Sequence, residues 1–235
     1  MRIDTELVKN KQFSCQINSS DIKRSQEYRV LATLRYLFPE EFNKMITDEA
    51  PDLQDNENGR GIEVTSAVKE CDMKVSRAFS ELRQGIQENI EHNKEMIVSN
   101  GYSFINITDD KVAISSMGTA DGEKCFFQQS IRRKIKKLPR YREKFKEIGL
   151  AIILPEIPTS YAEEHFCVWI SEIFENATEK FDFVYVISHR FCIYYNVQES
   201  TSIKYKITSQ ENRLITTLAR MTAEKELFLT DIEWM

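Results

Sequence analysis

The segment PDLQDNENGRGIEVTSAV, residues 51–68, places two acids in unequal surroundings. Residues 55–61, DNENGRG, are a loop by composition, and residues 51–54 are a short strand or the approach to one. GIEVTSAV then reads as a strand: Glu63, Thr65 and Ala67 alternate against Ile62, Val64 and Ser66. Asp52 beside Pro51 is an ordinary turn residue. Glu63 sits where a strand side chain is half buried, and a buried carboxylate needs a partner. Ten intervening residues allow a hairpin-like return that brings Asp52 and Glu63 to one end of the sheet. Two carboxylates about 4 Å apart repel by roughly 4 kcal/mol at an effective dielectric of about 20. One must then take a proton, or a cation must sit between them. Oxygen ligands of this kind suit Mg²⁺ or Mn²⁺, and such an ion activates water and polarises a phosphoryl oxygen. The alternative is a turn aspartate and a strand glutamate paired with a base such as Arg60.

The flanking sequence supplies helices. In SQEYRVLATLRYLFPEEF, Tyr28, Leu31, Leu34 and Phe38 recur at helical spacing. This predicts a helix with Ser25 as N-cap, ended or kinked at Pro39. Glu27 falls in its first turn, where the helix dipole favours acids in any case. Val75, Phe79, Leu82, Ile86, Ile90 and Ile97 predict a helical region over 72–99, followed by two short paired strands at 102–107 and 111–117. Over 123–148 one apolar face runs through Phe127, Ile131, Ile135, Leu138, Tyr141, Phe145 and Ile148. That helix is kinked or restarted at Pro139 and stopped by Gly149. LAIIL, 150–154, is a continuous apolar run, as in a strand covered on both faces. A helix holding Phe166, Trp169, Ile170 and Ile173, two strands around Ser188-His189-Arg190 and a partly helical tail from about Ser209 complete the order. The layout is α/β, a central mixed sheet flanked by helices. The expected organisation is an N-terminal lead-in over 1–21, an α/β domain over 22–200 and a C-terminal extension over 201–235 packed on it.

Composition narrows the function classes. The chain has 235 residues, 41% hydrophobic and 29% charged, which suits a globular domain with a full core. No apolar run reaches the roughly 18 residues a membrane span needs, and the polar N-terminus does not read as a secretory signal. Cytoplasmic location is the expectation. Five scattered cysteines without a CxxC pair, and three distant histidines, argue against a zinc site and fit reduced thiols. There is no Gly-rich phosphate loop and no GxSxG. The net charge of −5 does not exclude nucleic acid, because RRKIKKLPRYREKFK, 132–146, holds nine Lys or Arg against one Glu.

Pro51-Asp52 followed by Glu63-Val64-Thr65, with Glu27 on a preceding helix, resembles the PD-(D/E)xK nuclease superfamily. The resemblance covers roughly residues 22–155, through the basic helix and the LAIIL strand. It implies a restriction-endonuclease-like core with a helical insertion (72–99) after the second core strand. It implies a divalent-metal-dependent nuclease hydrolysing phosphodiester bonds in DNA, with Mg²⁺ or Mn²⁺ as cofactor and a homodimer as an allowed assembly. Asp52 and Glu63 would be the metal ligands, assisted by the Val64 carbonyl, and Glu27 would complete the acidic site. Arg133, Lys134 and Lys137 would face the nucleic-acid backbone. The chain departs from the family where Thr65 stands in place of the motif lysine. A hydroxyl brings no positive charge to the scissile phosphate, so Lys69 or Lys74 is the candidate replacement beside Thr65. The same departure keeps a second expectation open: a catalytically lapsed module that binds nucleic acid or protein.

Overall fold

The computed structural model describes residues 8, 11, 13, 19–67, 70–83, 89–108, 111–116, 120–154, 158–229 and 232. Helix α1 (Ser19–Leu37) begins earlier than the Ser25 cap predicts, with Asp21 in its first turn. Nothing between Ser19 and Ser25 interrupts a helix, and both Gly and Pro are absent there. The helix stops at Leu37, and Pro39 opens the short helix α2 (Pro39–Phe42), where its missing N–H costs nothing. Arg35 holds this corner. Its buried guanidinium donates to the carbonyls of Phe42, Asn43 and Met45.

Three antiparallel strands follow: β1 (Ile46–Thr47), β2 (Leu53–Asp55) and β3 (Arg60–Ser66). The two-residue β1 is not visible in the sequence, so the Glu63 strand is third in chain order. Gly61 lets the chain return so tightly, since a Cβ there would stand 2.5 Å from Pro51 Cγ. After β3 come α3 (Glu70–Arg83), α4 (Ile90–Ser99), β4 (Tyr102–Thr108) and β5 (Lys111–Ser116). The region that reads as helical over 72–99 is therefore two helices, and 84–88 between them lie outside the described residues. β4 and β5 pair as expected, but as a two-stranded sheet of their own.

The remaining elements are α5 (Ala120–Ile135), α6 (Leu138–Arg142), β6 (Glu147–Ile153), α7 (Ser160–Glu175), β7 (Phe183–Ile187), β8 (Phe191–Asn196), β9 (Thr201–Lys206) and α8 (Ser209–Ala223). The seven-stranded sheet runs β1-β2-β3-β6-β7-β8-β9. β6 is parallel to β3 and to β7, and the other neighbours are antiparallel, so the sheet is mixed. The fold class is α/β.

Two units divide the chain, Met1–Ala67 with Gln128–Met235, and Val68–Phe127. In the larger unit, Ile62 and Val64 of β3 join Ala151 and Ile153 of β6, Val30, Leu31 and Leu34 of α1, and Ile215 and Leu218 of α8 in one core. By strand alternation, Ile148, Leu150 and Ile152 are turned to the opposite face. The smaller unit has its own core of Val75, Ala78, Ile97 and Tyr102. Among the described residues, no helix is long and apolar enough to cross a membrane.

Gly149 corrects one sequence expectation. It does not stop a helix, which ends at Arg142, but lies inside β6 opposite Phe183. The helix reading fails there because Pro139 restarts a helix, α6, that is only five residues long.

Candidate active site

Along β3, Glu63 and Thr65 point to the face opposite the core that Ile62 and Val64 enter. Glu63 is fully buried. Its Oε1 accepts from Lys134 Nζ at 2.5 Å and Lys137 Nζ at 2.6 Å, and its Oε2 accepts from the Tyr141 hydroxyl at 2.6 Å. These three donors sit at intervals of three and four residues, one stripe running through the end of α5, the break and α6. Pro139 at the start of α6 makes the break that lets the stripe continue toward Glu63. Burial opposes ionisation of Glu63, but the hydrogen bonds from Lys134, Lys137 and Tyr141 outweigh it and hold its pKa below the usual carboxylate range. Burial and the Glu63 charge push Tyr141 well above an ordinary phenol, so it remains a donor.

Asp52 enters the same neighbourhood from the turn before β2. It is nearly buried, and its Oδ2 accepts from the Val64 backbone N–H at 2.8 Å. A strand residue presents its N–H and C=O to the same edge, so the Val64 carbonyl also faces the Asp52 side. Lys23 Nζ lies 3.5 Å from Asp52 Oδ1 and 3.2 Å from Glu27 Oε1, one helical turn on. Burial raises the Glu27 pKa; the Lys23 hydrogen bond opposes that shift, and the Asp52 charge adds to it. Asp52 also raises the Tyr141 pKa, so both clusters act on one hydroxyl. Glu27 and Glu63 are thus driven in opposite directions.

Of the sequence-predicted set, the structure joins Glu63 to Lys134 and Lys137, and Asp52 to Glu27 through Lys23; the two groups meet in their influence on Tyr141. Thr65, nearly buried, is two residues from Glu63 on the same strand face. Lys134 and Lys137 turn inward to Glu63, whereas the sequence points them at a substrate backbone. Arg133 is exposed. Lys69 lies outside the described residues, and Lys74 is an exposed residue of the smaller unit. Arg60 is not the partner of Glu63: it pairs with Glu41 and Glu147. Lys23 and Tyr141 are the residues that sequence reasoning misses. Tyr141 reads only as core, although its stripe with Lys134 and Lys137 is a signal present in the sequence.

Among the described residues, no group of three or more His, Cys, Asp or Glu side chains is placed to hold a metal ion. A cation would rest on two carboxylates and a peptide carbonyl. This donor set fits a hard ion in kind. Glu63 has three of its roughly four acceptor positions engaged, which leaves one for an ion. The three acids are matched by three ammonium groups, Lys23, Lys134 and Lys137. Comparison with known proteins adds no constraint on what this cluster does, since no family model, no curated protein and no solved structure matches the chain.

Proposed function

We propose that the chain is a divalent-metal-dependent nuclease of the PD-(D/E)xK kind, hydrolysing phosphodiester bonds in DNA. The observation that carries the reading is Glu63, buried and ionised beneath Lys134, Lys137 and Tyr141, with Asp52 and Glu27 joined by Lys23 beside it. The element order supports it: α1, the antiparallel β1-β2-β3, then α5 and a β6 parallel to β3. A separate compact unit, Val68–Phe127, follows β3 in the chain, where the resemblance leads one to expect a helical insertion over 72–99. Asp52, Glu63 and the Val64 carbonyl would hold Mg²⁺ or Mn²⁺, which supplies a water of lowered pKa and a Lewis acid for the phosphoryl oxygen.

The chain's own residues have separate tasks. Lys134 brings the positive charge that Thr65 lacks, and its ammonium neutralises charge developing on the phosphate. Lys137 shares this task and, being half exposed, is the one free to leave Glu63 as substrate arrives. Tyr141 fixes the Glu63 carboxylate from the opposite oxygen. Glu27, tied to Asp52 through Lys23, would complete the acidic site from α1. Plasmid cleavage with Mg²⁺ or Mn²⁺ tests the reading. Asp52→Asn and Lys134→Met are expected to lower the rate on the order of 10²–10³-fold, the scale for losing one preorganised electrostatic group. Wild-type cleavage no faster than that of Asp52→Asn would show the reading to be wrong.

One observation favours a second reading, a lapsed module that binds nucleic acid. Lys134 and Lys137 already compensate Glu63 without an ion. DNA binding that survives Asp52→Asn, with no cleavage by any divalent metal, supports that reading instead.

A further inference from the structure

We propose that the groove between α1 and α8 is an oxyanion site that takes a phosphate group through Arg29. A pocket of about 220 Å³ opens there, lined by Ile22, Ser25, Gln26 and Arg29 of α1 and by Thr216 and Ala219 of α8. The four α1 residues fall on one stripe, at helical spacing. Lys23 and Glu27, which serve the carboxylate cluster, belong to another stripe of the same helix. The two sites are therefore distinct.

Arg29 is the unusual residue. Its Nη2 is shielded from water and has no hydrogen-bond partner, the one such side-chain atom among the described residues. Buried polar groups are almost always paired, and a guanidinium keeps its charge at any ordinary pH, so Arg29 brings an uncompensated positive charge to the pocket wall. Burial lowers the Arg29 pKa, as expected of a cation with no counter-charge. Among the described residues, Arg29 is the sole charged residue in the pocket lining and no carboxylate lines it. The complement is an anion. The Ser25 hydroxyl and the Gln26 amide add neutral donors, whereas the Thr216 hydroxyl is bonded to the carbonyls of Asn212 and Arg213 in its own helix. A planar guanidinium fork with flanking neutral donors matches the several oxygens of a phosphate. The source is either free phosphate or the 5′-phosphate of a nucleotide.

The site is tested on the full chain without metal or DNA, so its failure is separate from failure of the nuclease reading. Calorimetry and thermal unfolding are followed during titration with inorganic phosphate and with a nucleoside 5′-monophosphate, against chloride at matched ionic strength. Wild type is expected to bind saturably, and Arg29→Met to bind at least about tenfold more weakly, because the charge-assisted hydrogen bonds are gone. Arg29→Met also removes a buried unpaired charge, so its Tm without phosphate is expected to rise. Gln26→Glu guards against a variant that fails to fold: it puts a carboxylate one turn from Arg29, keeps the side-chain size, and is expected to abolish the phosphate response. Tighter binding of the nucleotide than of inorganic phosphate assigns the nucleotide as source, and equal binding assigns free phosphate. Absence of a saturable response in wild type, or an equal response in wild type and both variants, overturns the proposal.

Discussion

Glu63 shows how one side chain can be read from sequence while its partners are not. An acid inside a β-branched run must be buried, and a buried acid must be paired, so its importance follows from Ile62 and Val64 alone. The choice of partner does not follow. It depends on the restart at Pro139, which carries Lys134, Lys137 and Tyr141 onto one stripe. Glu63→Gln keeps the shape and removes the charge that two ammonium groups share, which is expected to cost about 3–5 kcal/mol near neutral pH. The pH dependence has a definite sign. The Glu63 pKa is lower in the folded chain than its ordinary value of 4.5. Its contribution is thus fully present above that value and is lost as pH falls through the folded-state pKa. Urea unfolding of wild type and Glu63→Gln is expected to show a wide gap in stability at about pH 7 that narrows below about pH 4. A gap independent of pH would mean that folding leaves the Glu63 pKa unshifted, and a gap that widens toward low pH would mean that the carboxyl is held protonated in the folded chain. Lys23 escapes a sequence reading for a different reason: on an exposed helical turn it reads as a solvated side chain, and its role depends on where Asp52 returns.

At the scale of elements, periodicity shows most where one face is fully buried. Phe166, Trp169, Ile170 and Ile173 mark α7, and the buried β6 and β7 announce themselves as apolar runs. β9 escapes the sequence reading although Ile203 and Tyr205 alternate with Ser202, Lys204 and Lys206, because TSIKYK is almost wholly exposed at the sheet edge and reads as polar. β1 is invisible because two residues hold no period at all. Gly149 reads as a helix stop because the apolar face of the preceding helix extends in sequence to Ile148. In the sheet it has another task, since a Cβ there would stand 1.9 Å from Phe183 Cε2. Phe183 is itself buried and packs edge-on against Tyr185, so its ring has little room to yield. Gly149→Ala is expected to destabilise by about 1–3 kcal/mol, the usual cost of overpacking, read as a lowered urea midpoint with unchanged slope. Full stability in that variant would mean the β6–β7 register differs from Gly149↔Phe183.

For the whole molecule, the decisive question is how a chain of net charge −5 meets a polyanion. The basic segment 132–146 divides into two populations. Lys134, Lys137 and Arg142 are engaged by the acids Glu63 and Asp182, and Lys144 by Gln54. Arg133, Lys136 and Arg140 are exposed and paired with no described residue. They recur at three and four residues, so the same break that aims Lys134 and Lys137 inward leaves a second, outward row. Exposed and unpaired cations release counterions on binding phosphates without first breaking an internal ion pair. Replacing all three by glutamine is expected to change stability little, since exposed positions of this kind contribute within about 0.5 kcal/mol. It is expected to flatten the dependence of log K on log salt by about 0.9 for each phosphate no longer neutralised, measured by fluorescence anisotropy on duplex DNA. Asp52→Asn, by contrast, is expected to leave that slope unchanged, because it alters the carboxylate cluster and not the outward row. A slope unaffected by the triple replacement would place the nucleic-acid face elsewhere on the molecule, and with it the direction from which a strand reaches Glu63.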